Sequence, residues 1–359
     1  MKAQHFAQAD HVNGRRFPRR LLARRLSSAL IGDIQLKDQN QKIETLISTL
    51  HRISTEEDSV RKYINTTRYQ TDLLQDLDNW NQICSSLDTT GDTTLSIEEY
   101  LVSDYPENDG LKYIYTYGLL QSLFIQQDAV KHLSEAFEVD FKINDQLKKV
   151  RAIRNASIGH PTKNKVRGTV FYNYISRITL SKYGFTLLRS SKDDRDEFID
   201  VDLLSILTTQ VNEIEKSYKL ISTKLIEADK MHREKYKDKL IVDIFHSSIG
   251  YQFSKIAEGI YSTSTPHHRS FGLKMLDSVK KTYLEFENAL KERNELNDYI
   301  EYDLEQYKHA ITILKSFLTE ENENLTERDA RIYLFYIREK HVHFVEVAKE
   351  VDKEYTKKV

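Results

Sequence analysis

Arg154, Asn155 and His160 are the residues of this chain whose types and spacing best fit a chemical task. An arginine keeps its charge at any physiological pH and offers a planar fork to a phosphate, while an imidazole of ordinary pKa ~6.5 takes and gives protons near neutrality. In Arg154-Asn155-Ala156-Ser157-Ile158-Gly159-His160-Pro161 the two stand within a turn or so of each other. Together they supply what cleavage of an RNA phosphodiester without a metal requires. A neutral imidazole removes the 2′-hydroxyl proton, the guanidinium stabilises charge on the pentavalent phosphorus, and a second histidine protonates the leaving 5′-oxygen. One chain carries one such pair, so the scheme asks for two copies of the motif, most simply in a symmetric homodimer. Lys148, Lys149, Arg151, Lys163, Lys165 and Arg167 crowd around it with little nearby acid, a basic rim that suits an RNA backbone. The plainer reading is an arginine paired with an acid, a Gly-His-Pro helix stop and an ordinary solvated face.

The elements that must position these residues are helical. A helix over 143–158 is ended by Gly159 and Pro161, because the residue before proline is pushed out of the αR region, and His160 is therefore expected on a turn. Ahead of it, Ile114, Tyr117, Leu120, Phe124, Val130, Leu133 and Phe137 mark a core helix over 111–137. Its polar Gln127, Asp128 and His132 could line the same cleft. After the motif, 169–190 is dense in Val, Ile, Thr, Phe and Tyr around Ser181-Lys182-Tyr183-Gly184 and predicts one β-hairpin. A polar loop, Lys192 to Glu197, follows. From residue 201, Leu204, Leu207, Val211, Ile214, Tyr218, Ile221 and Leu225 alternate spacings of three and four, a coiled-coil-like seam on a helix of ~30 residues or ~45 Å. Further helices are expected over 36–54, 56–87, 276–290, 300–318 and 327–352, with a breaker at Pro106 to Gly110.

The pattern Arg154-Asn155-x-x-x-x-His160 resembles the motif of the HEPN family, helical domains marked by Arg, usually a polar residue, a short spacer and His. The resemblance covers residues 154–161 by specific residues and about 109–230 as a domain; the hairpin and the C-terminal helices fall outside a minimal bundle of that family. It implies an all-α bundle whose motif faces a dimer mate, with Asn155 orienting the Arg154–His160 pair. Many members are ribonucleases of toxin–antitoxin, abortive-infection and other bacterial-type defence systems, leaving 2′,3′-cyclic phosphate ends and needing no cofactor. Others have no nuclease activity and serve as binding or scaffold domains. The expected architecture is a basic segment 1–35, an HEPN-like helical domain 36–230 carrying the hairpin, and a C-terminal helical bundle region 231–359 packed on it. The expected partners are RNA, a second copy of the chain and an antitoxin or regulatory protein. The rival expectation is a non-catalytic helical module that binds a partner protein, or senses a nucleotide or RNA end.

Composition narrows the field further. The 359 residues are 30% charged, with only 11 Gly and 4 Pro, as in a helical protein. With 53 basic against 55 acidic residues the formal charge is −2, which excludes a bulk polycation but not a local basic groove. A single cysteine, Cys84, excludes an internal disulfide and a cysteine-based zinc site and suits a reducing compartment, with the cytoplasm as the default. No stretch approaches 18 uninterrupted apolar residues, so neither a membrane span nor a secretory signal is expected. The six arginines of 14–25 read best as a solvated basic end leading into the first helix. Asp88 to Glu99 resembles an EF-hand loop but has Thr90 at the third position and Thr93 where the glycine belongs. Its simpler reading is a capped loop, with Ser96 and Glu99 forming a capping box. His267-His268 and His341-Val342-His343 lack the i, i+4 spacing of a helical metal pair and are expected on the surface. No Walker lysine loop, dinucleotide fingerprint, Gly-x-Ser-x-Gly elbow or His-Glu-x-x-His occurs.

Overall fold

The computed structural model describes residues 19–166, 168–192, 195–262, 265–321 and 324–356, with side chains from Lys37 onward, Val166 excepted. The basic start up to Pro18 lies outside the described residues, as does Arg167. Ten α-helices and one four-stranded antiparallel sheet make up the described fold, and none of the helices is long and apolar enough to cross a membrane.

Helix α1, Arg19–Ile64, is longer than the periodicity of 36–54 predicts. Leu46, Leu50, Ile53, Glu57, Val60 and Ile64 stay buried at spacings of four and three, and no Gly or Pro interrupts 33–64. The seam on α6, Leu203–Tyr236, is buried throughout, from Leu204 to Leu225. The two helices lie side by side in the same direction: Arg52 bonds Glu215 at 2.6 Å, and Arg68, just beyond α1, bonds Asp229 at 2.6 Å.

The stretch 56–87, expected as one helix, is instead the end of α1, a short α2 (Thr67–Leu73) and the start of α3 (Leu77–Val102). Asp76 opens α3 by accepting a bond from the Asn79 N–H at 3.1 Å. The EF-hand-like segment is the interior of α3, which overturns both the calcium-loop and the capping-box readings. Thr90, Thr93 and Thr94 are buried beside Leu87, Ile97 and Leu101, and the Thr90 and Thr93 hydroxyls donate back to Ser86 and Thr89 carbonyls at 2.9 and 2.8 Å. Its acids serve other helices: Asp88 pairs with Arg61 at 2.9 Å and Glu98 with His51 at 3.0 Å. Asn108 then caps α4, Asp109–Ala136, which returns antiparallel along α3 through Ser96–Ser122 and Gln82–His132 contacts.

The predicted hairpin is the centre of a meander. Strands β1 (Asn164–Val166), β2 (Thr169–Ile175), β3 (Gly184–Ser191) and β4 (Glu197–Asp202) pair in order, all antiparallel. The inner face, with Phe185, Leu187 and Val201, joins the core built by α1, α3, α4, α6 and α5 (Asp145–Arg154).

A second hydrophobic core belongs to α7 (Ile249–Tyr261), α8 (Pro266–Glu292), α9 (Asp298–Leu318) and α10 (Glu327–Thr356). The helix α7 carries Ile249, Phe253, Ile256 and Ile260 at a four-three-four spacing, and it meets α8 through Gly259 and Gly272. A Cβ on Gly259 would stand 3.0 Å from the His268 carbonyl oxygen. His341, expected on the surface, instead faces this core. Its Nδ1 lies 2.8 Å from the Tyr283 hydroxyl, among Phe245 and Phe253.

The two cores meet at Arg68, which is 3% exposed and bonds both Asp229 of α6 and Glu295, which follows α8. Tyr355 of α10 donates to Glu295 at 3.1 Å and approaches His232 Nε2 at 3.1 Å. Burial pushes the Glu295 carboxyl above its usual range, while His232 is lowered by burial and by Arg68 and Lys235. His341 is lowered by burial alone. A histidine pKa depressed below its ordinary 6.5 contributes stability that is present above that value and is lost as pH falls through the folded value. The melting temperature is therefore expected to drop between pH 7 and pH 5, with a shallower drop for His341→Gln. Equal slopes for both proteins would remove His341 from this account.

Candidate functional site

Helix α5 starts on Asn144, whose side chain accepts bonds from the Gln146 and Leu147 N–H groups at 3.1 and 3.0 Å, and buries Leu147 and Val150 against the bundle. It does not run α-helically to 158. From Asn155 to Gly159 the backbone widens into a π-helical turn, closed by the His160 N–H donating to the Asn155 carbonyl at 2.7 Å. Such turns change the phase of a helix and recur at functional sites. Pro161 follows, and its carbonyl accepts from the Asn173 N–H of β2 at 2.8 Å, tying the turn to the sheet. His160 is exposed and its imidazole makes no hydrogen bond among the described residues.

Arg154 is held in place by neutral groups. Its Nε and Nη2 donate to Gln121 Oε1 at 3.1 and 2.6 Å, its Nη1 donates to Asn155 Oδ1 at 2.9 Å, and its guanidinium lies 4.4 Å from the centre of the Phe124 ring. Among the described residues no carboxylate pairs with it. Three of its five N–H groups are used, leaving one on each terminal nitrogen, the arrangement that binds two phosphate oxygens. Gly159 is required beside it: a Cβ there would stand 2.7 Å from Arg154 Nη1 and 3.2 Å from Asn155 Oδ1. The glycine expected only to stop the helix is thus also the surface on which the guanidinium rests.

The polar residues expected in the cleft divide differently. Gln127 and Asp128 hold Arg151, not Arg154: Arg151 Nε donates to Gln127 Oε1 at 2.7 Å and its Nη2 pairs with Asp128. His132 is exposed and remote from these contacts, with its carbonyl bonded by Gln82. The partner of Arg154 is Gln121, seven residues before Asp128 on the same face of α4. That heptad offset was present in the sequence, but only the docking of α5 selects it.

Arg151 ends a polar chain through the core. Gln127 Nε2 donates to Gln210 Oε1 at 2.7 Å, Gln210 Nε2 donates to Gln126 Oε1 at 3.1 Å and the Leu123 carbonyl at 3.0 Å, and Gln126 Nε2 donates to Thr94 at 3.3 Å. The three glutamines are fully buried, so each amide depends on the next. Gln210→Leu leaves the Gln127 amide and the Gln126 carbonyl without partners and is expected to destabilise the fold by roughly 2–4 kcal/mol in urea unfolding. A loss under about 1 kcal/mol would mean that water replaces the chain.

Of the basic rim, Arg151 is committed to Asp128 and Lys148 pairs with Asp145 at 3.0 Å. Lys149, Lys163 and Lys165 are exposed and form no ion pair among the described residues. No three His, Cys, Asp or Glu side chains among the described residues group as a metal-binding set.

Comparison of the chain with protein-family profiles, curated proteins and solved structures gives no match in any of the three. The class defined by fold and site is an all-α protein with a small antiparallel sheet, bearing an arginine with no acidic partner among the described residues and, one π turn further on, an exposed histidine.

Proposed function

We propose that this chain is a metal-independent endoribonuclease of a bacterial-type defence or toxin system, acting in the cytoplasm as a homodimer of HEPN type. The observation that carries the reading is the guanidinium of Arg154, oriented by Gln121 and Asn155 and paired with no acid among the described residues, with an exposed histidine at the end of the π turn that follows. An isolated positive charge with two free N–H groups is suited to a phosphate that gains charge in the transition state. Neutral His160 of one subunit takes the 2′-hydroxyl proton, and the 2′-oxygen bonds to phosphorus as the bond to the 5′-oxygen breaks. The protonated His160 of the other subunit delivers a proton to that oxygen, leaving a 2′,3′-cyclic phosphate and a 5′-hydroxyl. Asn155 serves as a positioning residue through its bond to Arg154, and Lys149, Lys163 and Lys165 contact the backbone. An antitoxin or other regulatory protein would restrain the site.

The test is cleavage of end-labelled RNA in EDTA by the wild type and by His160→Ala, with cyclic phosphate ends scored. Cutting by the wild type alone supports the reading; equal cutting by both assigns the activity elsewhere. A second reading, a non-catalytic interaction module, draws on Leu111, Ile114, Tyr117 and Ile125, which expose apolar surface along α4 around Gln121. Absence of cutting by the purified dimer, with a stable protein complex formed through this strip, would favour it.

A further inference from the structure

The sheet has a solvent face that the motif does not use. Along β2, Phe171, Asn173 and Ile175 point inward, and the alternation sends Val170, Tyr172 and Tyr174 outward. The register aligns Tyr174 with Leu188 and Leu188 with Phe198, and sets Tyr172 opposite Ser190. Tyr172, Tyr174 and Phe198 are 41%, 57% and 71% exposed. Among the described residues their rings stack on no other ring and neither tyrosine hydroxyl is hydrogen-bonded.

Basic charge adjoins one end of this face. Lys165 pairs with Val170 across β1 and β2, so it stands on the outward side, and the exposed Lys163 lies two residues before it, just ahead of β1. Two acids of β4 share this side of the sheet beyond Tyr174: Asp200, one row on, accepts a bond from Thr186 at 2.8 Å, and Asp202, two rows on, accepts from the Ser205 N–H at 3.1 Å. His160 precedes Lys165 by five residues, at most about 18 Å of chain. The bond from Asn173 to the Pro161 carbonyl holds the motif turn against β2.

We infer that this face is a stacking platform for single-stranded RNA, with bases on Tyr172, Tyr174 and Phe198 and backbone phosphates on Lys163 and Lys165, feeding the strand toward His160. Three exposed rings on one sheet face give flat apolar partners to unpaired bases, whose stacking needs no particular sequence. The lysines at the β1 edge match the charge of the backbone. A duplex keeps its bases stacked on each other and leaves nothing for the rings to hold. The choice of RNA rests on the reading of Arg154 and His160.

The test uses the full chain carrying His160→Ala as the parent, so that bound RNA stays intact, and follows a fluorescein-labelled RNA of about twelve nucleotides by anisotropy in EDTA. Single-stranded RNA is expected to bind more tightly than the same sequence as a duplex. Tyr172→Ala, Tyr174→Ala and Phe198→Ala should each weaken it by about 5- to 100-fold at an unchanged melting temperature. Lys163→Ala and Lys165→Ala should each lower the salt dependence by about one ion. Three results overturn the platform: no binding by the parent, equal binding of duplex and single strand, or unchanged binding by the triple aromatic variant. The first of these would leave the face to a protein partner. Ring-dependent binding with no cutting by the wild type would keep the platform and sink the nuclease; cutting that survives the triple variant with full affinity would do the reverse.

Discussion

Arg154→Lys is expected to slow RNA cleavage by about 10²- to 10³-fold while leaving the melting temperature close to that of the wild type. Charge is conserved in this variant, so the effect isolates geometry. The guanidinium reaches Gln121 with two N–H groups and Asn155 with a third, and still has one on each terminal nitrogen. An ammonium has three donors on one atom and cannot hold both amides while binding two phosphate oxygens. The loss should fall mainly on kcat, because the interaction strengthens as charge builds on phosphorus. Gly159→Ala should act in the same direction without touching the arginine, since its Cβ would stand 2.7 Å from Nη1 and displace it. Wild-type rates in both variants would show that Arg154 does not meet the reacting phosphate.

Arg68→Ala should destabilise the protein by about 3–5 kcal/mol. The side chain is 3% exposed and bonds both Asp229 of α6 and Glu295 after α8, so its removal takes a charged partner from two carboxylates and breaks the link between α6 and the C-terminal helices. Asp229 retains Tyr69 and Arg233, each at 2.6 Å; in the wild type Tyr69, Arg68 and Arg233 together hold its carboxyl below the usual range despite burial. Among the described residues Glu295 keeps the Tyr355 hydroxyl as its one side-chain hydrogen-bond partner. Its carboxyl, already raised by burial, should rise further once the guanidinium is gone, so the loss should shrink as pH falls. Adding Glu295→Gln should recover part of the loss, because a neutral amide needs no counter-charge. Urea unfolding followed at the single tryptophan, Trp80 of α3, reads the first core. A loss below about 1 kcal/mol, or no recovery with Glu295→Gln, would show that apolar contacts and not this arginine join the two cores.

Local pattern was enough for α6, though not for the extents of α1 and α3. The seam from Leu204 to Leu225 lies on one face whatever its neighbours, and every residue of it is buried. The same holds for α4 and for the C-terminal helices, and the Val-, Tyr- and Phe-rich segment yielded β2 and β3. By contrast α7, only 13 residues, and β1, only three, were too short to stand out, and β4, six residues with Phe198, Ile199 and Val201, lies between a polar loop and the long seam of α6 and was not separated from them. The run Asp88 to Glu99 misled because its threonines and acids favour turns locally, whereas burial of Leu87, Ile97 and Leu101 against α1 and α4 keeps the helix intact.

The amino-acid sequence by itself determined the helical seams, the central hairpin and the placing of an arginine and a histidine at a helix end, since each depends on spacing within one segment. Tertiary structure alone decided that Arg151 is paired with Asp128 while Arg154 has no carboxylate partner among the described residues, that Gln121 and not Gln127 orients it, and that Gly159 makes room for it. These outcomes depend on how α5 is rotated and where it docks on α4, which is set by the π turn, by Leu147 and Val150 in the core and by the glutamine chain from α3 to α6. Partners that lie 23 to 33 residues away on a second helix leave no trace in the periodicity of the first.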